Sequence, residues 1–259
     1  MPQGQQPSIP SVWTRPRPRR EHLTRERIVA EAVGLLDADG IEALSMRTLG
    51  TRLGAGATSL YRHVANRDEL IELVVDEVYG ELEIPSVQDP ADWRPAVADA
   101  AAALRAMVLR HPWIASVLSQ VGLSHLGPNV MRMSDRMLAL FETAGFPPEE
   151  TDSAMSTVVS YVIGVATNEA AYLSMIARSG GTESDWLRAL SPAVEAATRT
   201  HPHLHAAHVA QHGKAPGAVR DETFDYGLQR LLDGLAARLD QLGRTDDHDP
   251  RLDVPCRHE

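Results

Sequence analysis

From residue 24 onward the apolar positions recur at helical spacing. Ile28, Ala32, Leu35 and Leu36 stand at i, i+4, i+7 and i+8, one apolar helix face, with Thr24 placed as N-cap and Gly40 as the stop. Ser45 is the next N-cap, and Met46, Leu49 and Leu53 follow at i, i+3 and i+7. Gly54-Ala55-Gly56 predicts a tight turn. In the short segment from Ala57 to Val64, Leu60 and Val64 are expected to face inward. Asn66 caps a fourth helix with Glu69 at N3, a capping-box-like arrangement, and Leu70, Leu73, Val74 and Val78 continue its buried face. Pro85 and Pro90 mark a linker.

Beyond the linker the pattern stays helical. An Ala-rich helix runs from Trp93 to Arg110, where His111-Pro112 breaks it, and Pro112 opens a short helix to about Gln120. Gly127-Pro128 precedes a helix from about Asn129 to Thr143, and Pro147-Pro148 opens a long one to about Ala177. A further helix covers about Ser184 to Thr198. Residues 199–220, rich in His, Gly and Pro, read as a loop, and a last helix runs from Asp221 to about Leu242. No strand shows convincing alternation and no repeat is present, so the fold class is all-α. The division expected is a disordered basic arm at 1–22, a three-helix head at 23–84, a helical body at 85–243 and a disordered acidic tail at 244–259.

Composition limits the alternatives. Of 259 residues, 43% are hydrophobic and 23% charged, enough apolar material for a core. The single cysteine, Cys256, cannot pair within the chain. No apolar run approaches the roughly 18 residues that span a bilayer, and the N-terminus lacks a signal-peptide pattern. A soluble cytoplasmic protein with no membrane partner is the expectation. The net charge of −10 argues against nucleic acid until its distribution is read. Residues 15–67 hold ten Arg against six acidic groups, a net of +4, and the rest holds fifteen basic groups against twenty-nine acidic ones, a net of −14. A basic end on an acidic body can approach phosphates in one orientation. Arg15, Arg17, Arg19 and Arg20 form either an arm for DNA or a solubilising tail.

The chemistry concentrates in residues 41–70, IEALSMRTLGTRLGAGATSLYRHVANRDEL. Two short helices across a glycine turn form a helix-turn-helix, whose second helix enters the major groove. With Leu49, Leu53, Leu60 and Val64 inside, Ala57, Thr58, Ser59, Tyr61, Arg62 and His63 remain outside, a polar face without an acid. The runs SMRTLGTRLG and SLYRHVANRDEL, after T-x-x-x-I-x-x-x-A-x-x-L-L-x-x-x-G, resemble the DNA-binding domain of the TetR family over about residues 24–75. HPW at 111–113, LGPN at 126–129 and FDYGLQRLLDGLAARL at 224–239 resemble a tetracycline-repressor-like branch of it.

That resemblance implies a ligand-responsive transcriptional regulator, a repressor that binds a palindromic DNA operator as a homodimer and is released by a small molecule. It implies DNA contacts from Arg47, Thr48, Ala57, Thr58, Ser59, Tyr61, Arg62, His63 and Arg67. Arg47 suits guanine O6 and N7, and Arg67 suits a phosphate at a helix N-terminus.

In the body, Met155, Val159 and Val162 belong to a helix apolar on two sides, and Phe224, Leu228, Leu231 and Leu235 form a stripe on the last helix. Such helices are either buried core or part of a subunit interface, and the resemblance implies a four-helix-bundle dimer. Gly227 and Gly234 are spaced for close approach of another helix. Met107, Trp113, Met137, Phe141, Tyr161, Asn168 and Tyr172, with Met131, Met133 and Met175 nearby in sequence, are candidates for a ligand cavity or for ordinary core. His201, His203, His205, His208 and His212 have loose spacing in a loop-like segment, and no metal site or cofactor is expected. The rival class is a helical small-molecule carrier or enzyme, but no nucleophile elbow, zinc helix, P-loop or dinucleotide fingerprint is present. A dimeric protein that has lost DNA binding is the third alternative, and Arg47, Tyr61 and Arg67 speak against it.

Overall fold

Thr24 opens the first helix as its position predicts, its hydroxyl accepting the Arg27 N–H, and α1 runs over Arg25–Asp39. Gly40 ends it at φ +77°, a left-handed conformation that favours glycine. This computed structural model describes residues 22–118 and 126–246, and every regular element in them is helical. The expectations for the arm at 1–21, for the tail from 247 and for the end of the short helix near Gln120 lie outside the described residues.

The head continues with a 3-10 turn over Ile41–Ala43, then α2 over Met46–Arg52 and α3 over Ala57–Leu60. Helix α3 is a single turn, shorter than the segment to Val64 that the spacing suggests. Its chain continues through turns, with the His63 and Val64 N–H groups both returning to the Leu60 carbonyl. Helix α4 covers Arg67–Tyr79. It buries Ile71, Val75 and Tyr79 as well as the expected Leu70, Val74 and Val78, because it packs on α1 on one side and on the body's α7 on the other. Leu49, Leu60 and Val74 are fully enclosed, each worth at most about 1.5–3 kcal/mol of burial.

The body consists of α5 (Trp93–Arg110), α6 (Ile114–Leu118), α7 (Pro128–Ala144), α8 (Pro148–Ser179), α9 (Glu183–Thr198), α10 (Pro202–Ala210) and α11 (Pro216–Asp246). Helix α8, of 32 residues, is a rod about 48 Å long at the ordinary helical rise. Helices α5, α7 and α11 pack around it. Trp93, Phe141 and Phe146 form an aromatic knot in this core, with ring centroids 5.8–6.4 Å apart. Gly127 at the start of α7 has no side chain to cap it. Asp76 of α4 supplies the cap instead, its Oδ1 accepting the N–H groups of Asn129 (2.9 Å) and Val130 (3.1 Å). A Cβ on Gly127 would lie 2.1 Å from that oxygen.

Two expectations are corrected here. Residues 199–220 are not a loop: Pro202 sits at the first position of α10, where its missing N–H costs nothing, and α11 begins at Pro216 and continues to Asp246. The stripe assigned to a subunit interface is also partly internal. Val162, Phe224 and Leu228 are buried in the chain's own core, because α11 turns that face onto α8. Met155, Val159, Leu231 and Leu235 are half-buried at its edge. Gly227 admits the Tyr161 ring of the same chain, whose hydroxyl donates to the Phe224 carbonyl at 2.8 Å, whereas Gly234 faces open space.

Candidate functional site

The head's surface follows from how its two short helices meet. Ser45 caps α2, its Oγ accepting the Thr48 N–H at 3.0 Å and pairing with the Thr48 hydroxyl at 2.7 Å. The turn then closes tightly. Ala55 N–H donates to the Gly50 carbonyl at 2.8 Å, Gly54 takes φ +60°, and a Cβ on Gly50 would meet the Ala55 carbonyl oxygen at 2.8 Å. Buried Leu49 and Leu60 hold α2 and α3 together.

What remains outside is one-sided in charge. No acid occurs between Glu42 and Asp68. Arg47, Thr58, Tyr61 and Arg62 are exposed, and Thr48, Ala57, Ser59 and His63 are half-buried. Among the described residues, the Arg47 and Arg62 side chains have no hydrogen-bond or ion-pair partner. Arg52 is instead tied to Glu31 at 2.6 Å, and Arg25 to Glu69 at 2.6 Å. Arg67 is exposed at the first position of α4, where it is expected, and it also serves the head itself. Its guanidinium donates to the carbonyls of Leu44 (3.2 Å) and Ile41 (3.3 Å), pinning the α1–α2 connection. The α4 N-terminus beside it is already served by Asn66, which accepts the Glu69 N–H, and by the acidic Asp68 and Glu69. The Glu69 carboxylate accepts the Ala65 N–H rather than that of Asn66, one residue away from a standard capping box. That bond first, and then Arg25, hold its carboxyl below the usual value.

The body's large cavity, of about 990 Å³, lies between the C-terminal half of α8, α9, α10 and the start of α11. Of the residues expected to line a cavity, Asn168 and Tyr172 do so. Met107, Trp113, Met137 and Phe141 are buried in the core away from it, and Tyr161 bonds the α11 backbone. Met137 and Met133 border only a small crevice under α8, while Met131 and Met175 are exposed. The cavity walls are apolar, with Val165, Leu187, Leu190, Val194 and Val219. Its floor is a charge network that spacing gave no means of finding. Buried Glu169 accepts two bonds from Arg105 (2.8 and 2.9 Å) and one from Arg220 (3.0 Å), and Arg220 also bonds Glu183. The Glu169 bond raises the Arg105 pKa further. Burial, with Glu183 beside it, pushes the Tyr172 phenol up. The His208 and His212 rings lie 6.2 Å apart at the rim, and no cluster of three metal-ligating side chains occurs among the described residues.

A helix-turn-helix head with an unpaired-arginine surface, set on a larger helical body with its own cavity, has the architecture of a regulatory DNA-binding protein. Comparison with known proteins places it within that class. Residues 28–74 match the model of the bacterial regulatory proteins of the tetR family, and residues 85–239 match the tetracyclin repressor-like C-terminal domain. The chain belongs to the TetR family and is a helix-turn-helix transcriptional regulator. It is 36% identical to an HTH-type transcriptional regulator of Saccharopolyspora erythraea, over 88% of this chain and 92% of that one. It is 33% identical to the HTH-type transcriptional repressor DrrR1 of Streptomyces coeruleorubidus, over 82% and 77%. The crystal structure of the Streptomyces coelicolor TetR family protein ActR in complex with actinorhodin superposes with a TM-score of 0.67, 33% identity and coverage of 85% and 99%.

Proposed function

We propose that two copies of this chain bind a palindromic operator in the cytoplasm and leave it when a small molecule enters the cavity beneath α9 and α10. The observation that carries the DNA half is the acid-free α2–α3 surface with Arg47 and Arg62 unpartnered in the free protein. Arg47 and Arg62 reach bases or phosphates, Tyr61 and Thr58 add hydroxyls, and Arg67 acts from behind by holding the α1–α2 connection. The outward faces of α8 and α11, where Gly164 and Gly234 meet nothing within 4 Å, join the two copies and set two heads about 34–36 Å apart. Met155, Val159, Leu231 and Leu235 flank that seam.

The cavity's size and apolar walls suit a large, mostly apolar effector that hydrogen-bonds at Asn168 and Tyr172. The likeness to ActR, solved with actinorhodin, supports a small-molecule effector. Binding there lowers operator affinity through a two-state coupling.

The test is a titration of operator duplex, selected with the purified protein, against Arg62→Ala and Tyr61→Ala at several salt concentrations. Arg62→Ala is expected to weaken binding and flatten the salt slope by about one charge. Unchanged affinity and slope in both variants would reject the assignment.

A further inference from the structure

The His111-Pro112-Trp113 turn joins α5 to α6. Its two side chains converge on a single atom of the head. Trp113 Nε1–H donates to Asp37 Oδ1 at 2.8 Å, and His111 Nδ1 lies 2.7 Å from the same oxygen. Asp37 is on the last turns of α1, with its side chain one-third exposed, whereas the His111 side chain is 4% exposed. The second nitrogen of His111 lies 3.1 Å from Glu81, just past α4, and its ring meets Trp113 edge-on at 6.1 Å. Buried ring N–H groups require partners, and any nearby carbonyl of the body would serve. Here both are committed to a carboxylate of the head. Helix α1 otherwise packs mainly within the head, on α2 and α4, so this contact ties it directly to the body. Two donors on one oxygen constrain direction as well as distance.

We infer that Asp37 is a positioning residue that fixes the angle of the head on the body, so that paired heads meet two half-sites at one separation. The inference rests on the paired-head reading above. Holding both heads in the bound geometry before DNA arrives lowers the ordering cost of binding and makes the complex intolerant of altered spacing.

The experiment uses the full chain and a duplex recovered by selection with the wild-type protein. Its companions have one base pair inserted or removed at the centre, which moves the half-sites by about 3.4 Å and about 34–36°. Wild type is expected to lose at least about tenfold in affinity on either companion, and Asp37→Leu less than about threefold, relative to its own affinity for the selected duplex. Asp37→Asn, which keeps an acceptor oxygen, restores the wild-type discrimination, and Trp113→Phe falls between. Thermal melting confirms that each variant is folded. A variant that merely binds DNA more weakly would lose affinity on all three duplexes alike. Unchanged spacing discrimination in folded Asp37→Leu overturns the inference alone. A selection that returns no two-fold symmetric duplex overturns the paired-head reading and this inference with it.

Discussion

The α2–α3 unit of the head and the α9–α10 unit over the cavity are both pairs of helices at the edge of one body, yet opposite forces hold them. The head pair is held by enclosed Leu49 and Leu60 and by a turn in which backbone meets backbone. The α9–α10 pair contains no buried residue. It is held by Glu183 on Arg220, by Trp186 edge-on to Tyr172 at 5.9 Å, and by half-exposed leucines facing the cavity. A surface that must present groups to DNA in fixed geometry is built on a rigid core. The wall over the cavity, with no buried residue, lies at the low-stability end of the structure.

The sharpest break in that contrast is expected from Leu60→Ala. Leu60 is fully enclosed, so the loss is on the order of 2–5 kcal/mol in denaturant unfolding, accompanied by loss of operator binding. Next come the two crowded glycines. Gly50→Ala sets a methyl against the Ala55 carbonyl, which cannot yield, and costs about 1–3 kcal/mol. Gly227→Ala meets only the tip of Tyr161, which can withdraw from its bond to Phe224, so the same thermal melts should show a smaller loss.

Acid probes the head beside that pair. Glu69 has a depressed carboxyl in the folded head, so its contribution is complete above its unfolded value and disappears as pH falls through the folded one. The acid limb of an unfolding-versus-pH curve is expected to flatten in Glu69→Gln. In the cavity wall, Glu183→Gln should raise amide exchange of α9 about tenfold while leaving the exchange of α1 and α4 unchanged. The smallest effect belongs to Leu204→Ala on α10. Its side chain is 59% exposed, and the change in unfolding free energy should stay within about 0.5 kcal/mol.

The same contrast explains what the sequence disclosed. Thr24, Ser45 and Asn66 announce helix starts because each cap is a local bond three residues long, and all three are made. The leucines of α2 and α3 were legible because their faces are buried. Helix α10 was not, since it has only nine residues, and its Pro and His content resembles a loop. The cavity was illegible for a different reason. Arg105 and Glu169 are 64 positions apart and Arg220 and Glu183 are 37 apart, so nothing local in the chain couples them. Large side chains such as Met107 and Phe141 are core, because bulk serves packing before recognition. Arg67 has a second role that spacing did not announce, bracing two carbonyls more than twenty positions away.

Helix α7 draws the acceptor for its first amides from Asp76, a residue of the helix that carries the head. The linker after α4 is therefore not a line along which the molecule can be cut. A body prepared alone would begin α7 with bare N–H groups, and a head prepared alone would present a carboxylate with nothing to receive. The two parts fold as lender and borrower, and a fragment of either is expected to be a poorer reporter of its behaviour than the intact chain.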